Sequence, residues 1–253
     1  MCDDCGCEHD HDHDHGQHDD IQVREIKVNT PIFAANDRVA ERNRGFFAAH
    51  DLFVTNVVSS PGSGKTTLLA KTIEHFKTDI RTGVIAGDLE TDLDASRIRK
   101  TGAQVFQITT GQLCHLDAEM VARAMKSMDL KTLDMLMIEN VGNLVCPAGF
   151  DLGENVRIVL LSITEGEDKP LKYPPMFRFA DVVVITKTDL APYVDCDRGK
   201  MIENVFTVNP AATIFELSAK TGDGMKDWYN FLIKESQSHK LSLRAKQSNT
   251  ESH

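Results

Sequence analysis

The chain has 253 residues, 41% hydrophobic and 26% charged, which suits one α/β domain with tails and a sizeable core. Its net charge of −10 is concentrated: residues 1–20 carry seven Asp, one Glu and no Lys or Arg, contributing −8 and leaving only −2 for the rest. With no basic excess beyond the tail, nucleic acid and anionic membrane are excluded as main partners. No apolar run approaches the ~20 residues that span a bilayer, and the acidic start is unlike a secretory signal, so the expected location is cytoplasmic.

Residues 1–20 (MCDDCGCEHDHDHDHGQHDD) are low in complexity, have almost nothing to bury, and read as a flexible metal-binding tail. Cys2, Cys5 and Cys7 place three thiolates in one short loop. Soft sulfur donors with an amine or imidazole suit Ni²⁺ in a square-planar field or Zn²⁺ in a tetrahedral one. The fourth donor is then the chain's own amine or one of His9, His11, His13, His15 and His18. Residues 21–52 read as a linker and helix, with the amphipathic pattern over 36–51.

From Phe53, short apolar runs alternate with helical segments. Strands are expected at 53–59, 82–87, 104–108, 133–139, 157–163, 182–186 and 213–217, and helices at 65–76, 116–128 and 224–234. The alternation implies βαβ units over 53–235: a mostly parallel sheet of about seven strands flanked by helices. Residues 236–253 are polar and read as a flexible C-terminal tail.

The first strand runs into Ser59-Ser60-Pro61-Gly62-Ser63-Gly64-Lys65-Thr66, the Walker A pattern of a P-loop with Ser59 in place of the usual first glycine. Ser60, Gly62, Ser63, Gly64, Lys65, Thr66 and Thr67 are the expected phosphate-binding residues. The loop's N–H groups and the helix dipole attract phosphate, Lys65 reaches its outer oxygens, and the Thr66 hydroxyl ligates Mg²⁺. The apolar run 133–138 ends in Glu139, where a Walker B carboxylate holds Mg²⁺ directly or through water. Asp88 ends its own strand and faces the same edge, as a further Mg²⁺ ligand or positioner of the attacking water. Lys65, Asp88 and Glu139 form the expected catalytic set. Asp92 and Asp94 either join the phosphate site or start the next helix. No arginine is evident as a finger in cis, so hydrolysis is expected to be weak.

Thr186-Lys187-Thr188-Asp189 matches the Asn-Lys-x-Asp element with Thr for Asn. Asp189 is expected to accept from guanine N1–H and N2–H₂, which adenine lacks, while Lys187 lies along the base. Ser218, Ala219 and Lys220 fit the loop whose backbone N–H groups meet guanine O6. Cys114-His115 at a loop–helix junction and Cys146, seven residues past Glu139, form a second group of thiol and imidazole donors for Ni²⁺ or Zn²⁺. Cys146 falls in the stretch that a γ-phosphate and Mg²⁺ order, and a symmetric dimer brings two such half-sites together.

The segments SPGSGKTT (60–67), GDLETDLDA (87–95), TTGQLCH (109–115), IENVGNLVCP (138–147), EGEDKPLKYP (165–174) and TKTD (186–189), with the MCDDCGC opening, closely resemble the HypB family. These are the nickel-incorporation GTPases of hydrogenase maturation, within the SIMIBI class of P-loop proteins. The resemblance covers about residues 53–235 and the extreme N-terminus. It implies a slow, Mg²⁺-dependent GTPase that dimerises on GTP. It further implies a nickel- and zinc-binding accessory protein of the HypA type as partner, and Ni²⁺ delivery to the hydrogenase large subunit. Cys2, Cys5 and Cys7 then correspond to a high-affinity nickel site, and Cys114, His115 and Cys146 to a second site in the GTPase domain. Two rivals stand beside this reading. One is the urease-side nickel GTPase, UreG, which typically carries a Cys-Pro-His triplet that this chain lacks. The other is a nickel store in which the first 20 residues act alone.

Overall fold

The computed structural model describes residues 30–77, 79–88 and 93–250. Seven strands form one sheet: β1 (Phe53–Ser59), β2 (Thr82–Asp88), β3 (Gln104–Thr109), β4 (Met135–Glu139), β5 (Val156–Ser162), β6 (Val182–Thr186) and β7 (Thr213–Glu216). Their order is β3-β2-β4-β1-β5-β6-β7, and every pair is parallel. The helices are α1 (Thr30–Ala49), α2 (Lys65–Phe76), α3 (Leu93–Arg99), α4 (Ala118–Met125), α5 (Lys169–Lys172), α6 (Pro174–Arg178), α7 (Arg198–Val208) and α8 (Met225–Thr250). Parallel strands require crossovers, and the crossovers bury both faces of the sheet, so the central strands are apolar at every position rather than alternately. In β4, Met135 and Met137 face α2 and α8, whereas Leu136 and Ile138 join the cluster under α1 and α4. In β5, Ile158 and Leu160 face the first side, and Val159 and Leu161 pack with Phe177 and Met201 of α6 and α7.

The expected helix over 36–51 begins earlier, at Thr30. Two asparagines fasten it: Asn36 donates to Asp151 O at 2.8 Å and accepts from Ala118 N–H, and Asn43 donates to Ala118 O and Leu152 O. Residues 236–250, expected to fray, instead continue α8. The physical reason lies in contacts far along the chain. His239 packs its ring on Phe53 at 6.0 Å and meets Asn155, while Lys240 pairs with Asp134 at 3.0 Å. The Asp134 carboxyl is held well below the usual range, first by its bond from Arg81 and also by Lys240. Residues 1–20, including Cys2, Cys5 and Cys7, lie outside the described residues.

The anchor of α8 is Trp228, fully buried against α2, whose Nε1–H donates to Thr72 Oγ1 at 3.0 Å. The Thr72 hydroxyl in turn donates to Leu68 O at 2.7 Å. Trp228→Ala is expected to cost about 3–5 kcal/mol through the cavity and the stranded hydroxyl. Because this is the only tryptophan, the loss is read by circular dichroism in urea. A shift equivalent to less than about 1 kcal/mol would show that α8 does not belong to the cooperative core.

Candidate nucleotide and metal site

All seven strands point the same way, so their C-terminal ends share one edge, where open α/β sheets bind ligands. At the middle of that edge β1 leads through the loop 60–64 into α2. Gly62 and Gly64 hold φ of 75° and 99°, a region open to glycine at little cost, and Gly64 caps α2 without any side-chain bond. The first N–H groups of α2 therefore face the loop as an anion cradle. Lys65 is buried, and Nζ donates to Ser59 Oγ at 2.9 Å, so the serine that replaces the usual glycine holds the lysine in place. Burial pushes the Lys65 amine below its ordinary value, against the opposing pull of Glu139, Asp94, Glu165 and Asp88.

The Thr66 hydroxyl donates to Glu139 Oε1 at 2.7 Å. Glu139 is only 3% exposed, and its Oε2 has no partner among the described residues. Burial raises its carboxyl from the ordinary 4.5 to about 7, offset in part by Thr66 and Lys65. Asp88, the last residue of β2, acts electrostatically on both Lys65 and Glu139. A buried, half-satisfied carboxylate beside a hydroxyl and a second acid is a donor set that suits a hard divalent cation. A cavity of about 350 Å³ opens onto Lys65, Thr66, Thr67, Asp94 and Arg97. Asp94 thus serves both expectations, in the first turn of α3 and on the cavity wall, whereas Asp92 lies outside the described residues.

Sequence reasoning missed two residues here. Arg97 of α3 donates to Thr67 Oγ1 at 3.2 Å, which sets a guanidinium on the wall of the phosphate cavity. Glu165 accepts from the Ser63 hydroxyl at 2.6 Å and closes a capping box with Ser162, so a carboxylate braces the phosphate loop from the end of β5. The spacing Ser162-x-x-Glu165 carried that signal. Arg97 had none, because its reach depends on how α3 lies.

β6 ends beside the same loop. Thr186 Oγ1 donates to Ser63 O at 2.7 Å and Lys187 Nζ to Gly62 O at 2.7 Å. Lys187 adopts a left-handed φ of 58°, unusual for a residue with a Cβ, and this turn carries its stem over the loop. Ser218 Oγ donates to Asp189 Oδ1 at 2.6 Å and itself accepts from the N–H groups of Lys220 and Thr221. A cavity of about 330 Å³ lies between Gly64 and Thr67 on one side and Lys187, Asp189, Ser218, Ala219 and Lys220 on the other. Its volume suits a small-molecule site. Every expected nucleotide residue in the described chain therefore lies along one continuous edge.

The remaining donors meet a short distance away. Cys114 and His115 sit in the loop between β3 and α4, and Cys146 begins a turn of 3₁₀ helix, Cys146–Gly149, after β4. One donor atom from each of the three lies within 4.8 Å of the others, and all three residues are half-buried. Asn143 Oδ1 accepts the N–H groups of Val145 at 2.7 Å and Cys146 at 3.4 Å, shaping the turn. The His115 ring packs on Phe150 at 4.0 Å, and its buried Nδ1 has no partner among the described residues. Burial lowers the His115 pKa, so the imidazole is neutral at neutral pH. The Cys146 thiol is raised, first by its hydrogen bond with Cys114 and then by burial. A soft ion bound at Cys146 would compete with the proton of its raised thiol.

The nucleotide-binding domain model of the CobW/HypB/UreG family matches residues 53–216, from the first residue of β1 to the last of β7. A hydrogenase maturation factor HypB from Azotobacter chroococcum is 52% identical over 207 residues, covering 82% of this chain and 68% of its own. The hydrogenase/urease maturation factor HypB of Helicobacter pylori is 40% identical, covering 89% of this chain and 94% of its own. The crystal structure of Helicobacter pylori HypB in complex with nickel superposes with a TM-score of 0.77 at 42% identity, over 81% of this chain and 96% of that one. The chain belongs to the HypB family. The P-loop fold expected with a mostly parallel sheet is found with every strand pair parallel, and it is the fold of that family. Among the described residues no helix is long and apolar enough to cross a membrane.

The displaced pKa of Glu139 gives this HypB-family chain a testable pH dependence. A carboxyl raised from 4.5 to about 7 on folding adds stability below pH 4.5, and that stability is lost as the pH climbs through 7. Without divalent cations, the melting temperature is expected to fall between pH 5 and 8, and Glu139→Gln to flatten the fall. An equally steep decline in Glu139→Gln would assign the titration to another group.

Proposed function

We propose that this chain is a GTP-hydrolysing nickel carrier that delivers Ni²⁺ during maturation of [NiFe]-hydrogenase. One observation carries the reading: the donor atoms of Cys114, His115 and Cys146 converge within 4.8 Å, and the loop holding Cys146 begins at the carboxylate that meets the phosphate loop. The relatives' names supply the class of client, and the nickel complex of the Helicobacter pylori protein supplies the class of cargo.

In this reading the guanine base lies between the Lys187 stem and the 218–220 loop. Asp189, with one oxygen held by Ser218, accepts from N1–H and N2–H₂. Ser60, Gly62, Ser63, Gly64, Lys65, Thr66 and Thr67 cradle the phosphates. Thr66 and Glu139, with Asp88, would hold Mg²⁺, which neutralises charge on the transferred phosphoryl group. Lys65 draws charge from the outer phosphates, Asp88 orients the attacking water, and Arg97 adds a cation at the cavity wall. Ordering of 139–146 around the γ-phosphate moves the Cys146 thiol relative to Cys114 and His115, so the nucleotide state sets the grip on nickel.

A second copy of the chain, joined when GTP is bound, adds a second set of donors and completes the metal's shell. A HypA-type accessory protein and the hydrogenase large subunit receive the ion in the cytoplasm. Cys2, Cys5 and Cys7 form a separate tight nickel site, and Zn²⁺ competes for both thiol-rich sites. A urease client is a second reading, favoured by the dual hydrogenase/urease name of the Helicobacter pylori relative.

Two measurements check this reading. Asp189→Asn is expected to weaken GTP binding roughly 100-fold, and xanthine nucleotide, which carries an oxo group where guanine has its 2-amino group, is expected to replace it. Unchanged GTP affinity would remove Asp189 from the base site. Nickel titration of the full chain, followed by sulfur-to-nickel charge transfer with GDP or a slowly hydrolysed GTP analogue, should show a nucleotide-dependent component that Cys146→Ala abolishes. Its survival in Cys146→Ala would overturn the coupling.

A further inference from the structure

Asn140 follows Glu139 directly and is buried. Its N–H donates to Val57 O at 3.0 Å, which pins it to the central strand. Both ends of its side chain are used. Oδ1 accepts the N–H of Leu116, the residue after His115, at 3.0 Å, and the N–H of Val141 at 3.0 Å. Nδ2 donates to Asn56 Oδ1 at 3.3 Å. Asn56 Nδ2 in turn donates to Glu154 Oε1 at 3.0 Å, an oxygen that also accepts from Arg157 Nε at 2.9 Å. The remaining Arg157 nitrogens donate to Ala148 O at 3.1 Å and Phe150 O at 2.8 Å. This chain of bonds thus begins at the backbone beside His115 and ends on carbonyls of, and just beyond, the turn that Cys146 opens.

Asn56, Asn140, Glu154 and Arg157 are all under 10% exposed. Asn56 sits on β1 between Val54 and Val58, which belong to two different apolar clusters on that face of the sheet. A polar chain along such a seam is desolvated, and well-packed apolar side chains would fill the space at less cost. What the chain supplies is geometry: a fully satisfied network fixes its ends more tightly than apolar packing does.

Building on the metal reading of Cys114, His115 and Cys146, we propose that Asn140 is a positioning residue. It sets the Cys114–His115 loop against the Cys146 turn through Asn56, Glu154 and Arg157, and it passes displacement of Glu139 to that separation. Its place next to Glu139 makes it the first buried side chain to move when the nucleotide site fills.

The test uses full-length chain with Cys2, Cys5 and Cys7 replaced by alanine and follows nickel by its sulfur-to-nickel charge transfer, a signal to which the histidines of the tail do not contribute. Asn140→Ala removes all three side-chain bonds, those from Leu116 and Val141 and that to Asn56. It should weaken nickel at least ~10-fold, as loss of outer-shell partners does, and erase the difference between GDP and the GTP analogue. Asn140→Asp keeps an acceptor for Leu116 N–H but cannot donate to Asn56. It should restore nickel affinity to within about 3-fold, with its charge-transfer band, yet leave the nucleotide response lost. Guanine nucleotide affinity should stay within about 3-fold in both variants, which serves as the folding control.

Wild-type nickel affinity and response in Asn140→Ala would overturn the proposal, as would equal loss of nickel and nucleotide binding in both variants. If Asn140→Ala does not fold, Asn140→Asp decides alone, because a retained nucleotide response there refutes the link. Failure of the metal reading shows separately: the parent chain would bind no nickel, or Cys146→Ala would bind it unchanged, and the proposal would fall with that reading.

Discussion

In the parallel ladder between β1 and β4, Val57 stands opposite Glu139, and the site depends on that pairing. Because the strands run in the same direction, the loop that leaves β1 toward the phosphates and the loop that leaves β4 toward Cys146 start side by side. The second loop crosses the first so closely that a Cβ on Gly142 would stand 3.0 Å from the Cα of Pro61. Any side chain there would push the two backbones apart, so glycine permits their close approach. The thiol at the far end of the 139–146 segment is therefore tied, by a few residues of chain, to a backbone that touches the phosphate loop.

Donor hardness divides the edge into two districts. Around Lys65 the available atoms are oxygens: the Thr66 hydroxyl and the carboxylates of Glu139 and Asp88. Around Cys114 they are two sulfurs and an imidazole. Hard divalent cations favour the first and soft transition metals the second. The two donor sets thus suit different classes of ion, although a single short loop joins them. The separation is chemical before it is spatial.

Much of this was legible in the sequence. The strands stood out because burial on both faces leaves uninterrupted apolar runs, and their bounds differ by one or two residues at most. The run over 133–139 began early because Leu133 and Asp134 lie before β4, where the Asp134 carboxylate meets Arg81. The phosphate and base motifs were readable because their spacing is fixed by the ligand rather than by the rest of the fold. What escaped depends on distant partners. Residues 236–250 look solvated until Phe53, Asn155 and Asp134 are set against them. Asn56 stood as a visible anomaly in FVTNVVS, but its partner Glu154 lies 98 residues away. The grouping of Cys146 with Cys114 and His115 was expected from their donor chemistry and the family resemblance, and only the strand order that brings them together, β2 between β3 and β4, has no local pattern.

The donor set of the thiol cluster suits an open metal site better than a closed one. Three donors from the described chain leave at least one position of a four-coordinate ion open, whereas sites that retain a metal for structure close all four. The three residues are half-buried, and the exposed apolar side chains of Leu113 and Val145 flank the two cysteines in sequence. Proton competition favours release as well. The hydrogen bond with Cys114 and burial both raise the Cys146 thiol, which would help it take back a proton from a departing ion. On the proposed metal reading, a coordination position left open within one chain and a loop anchored at Glu139 favour an ion held for only part of the nucleotide cycle. That is the property that separates a carrier from a store.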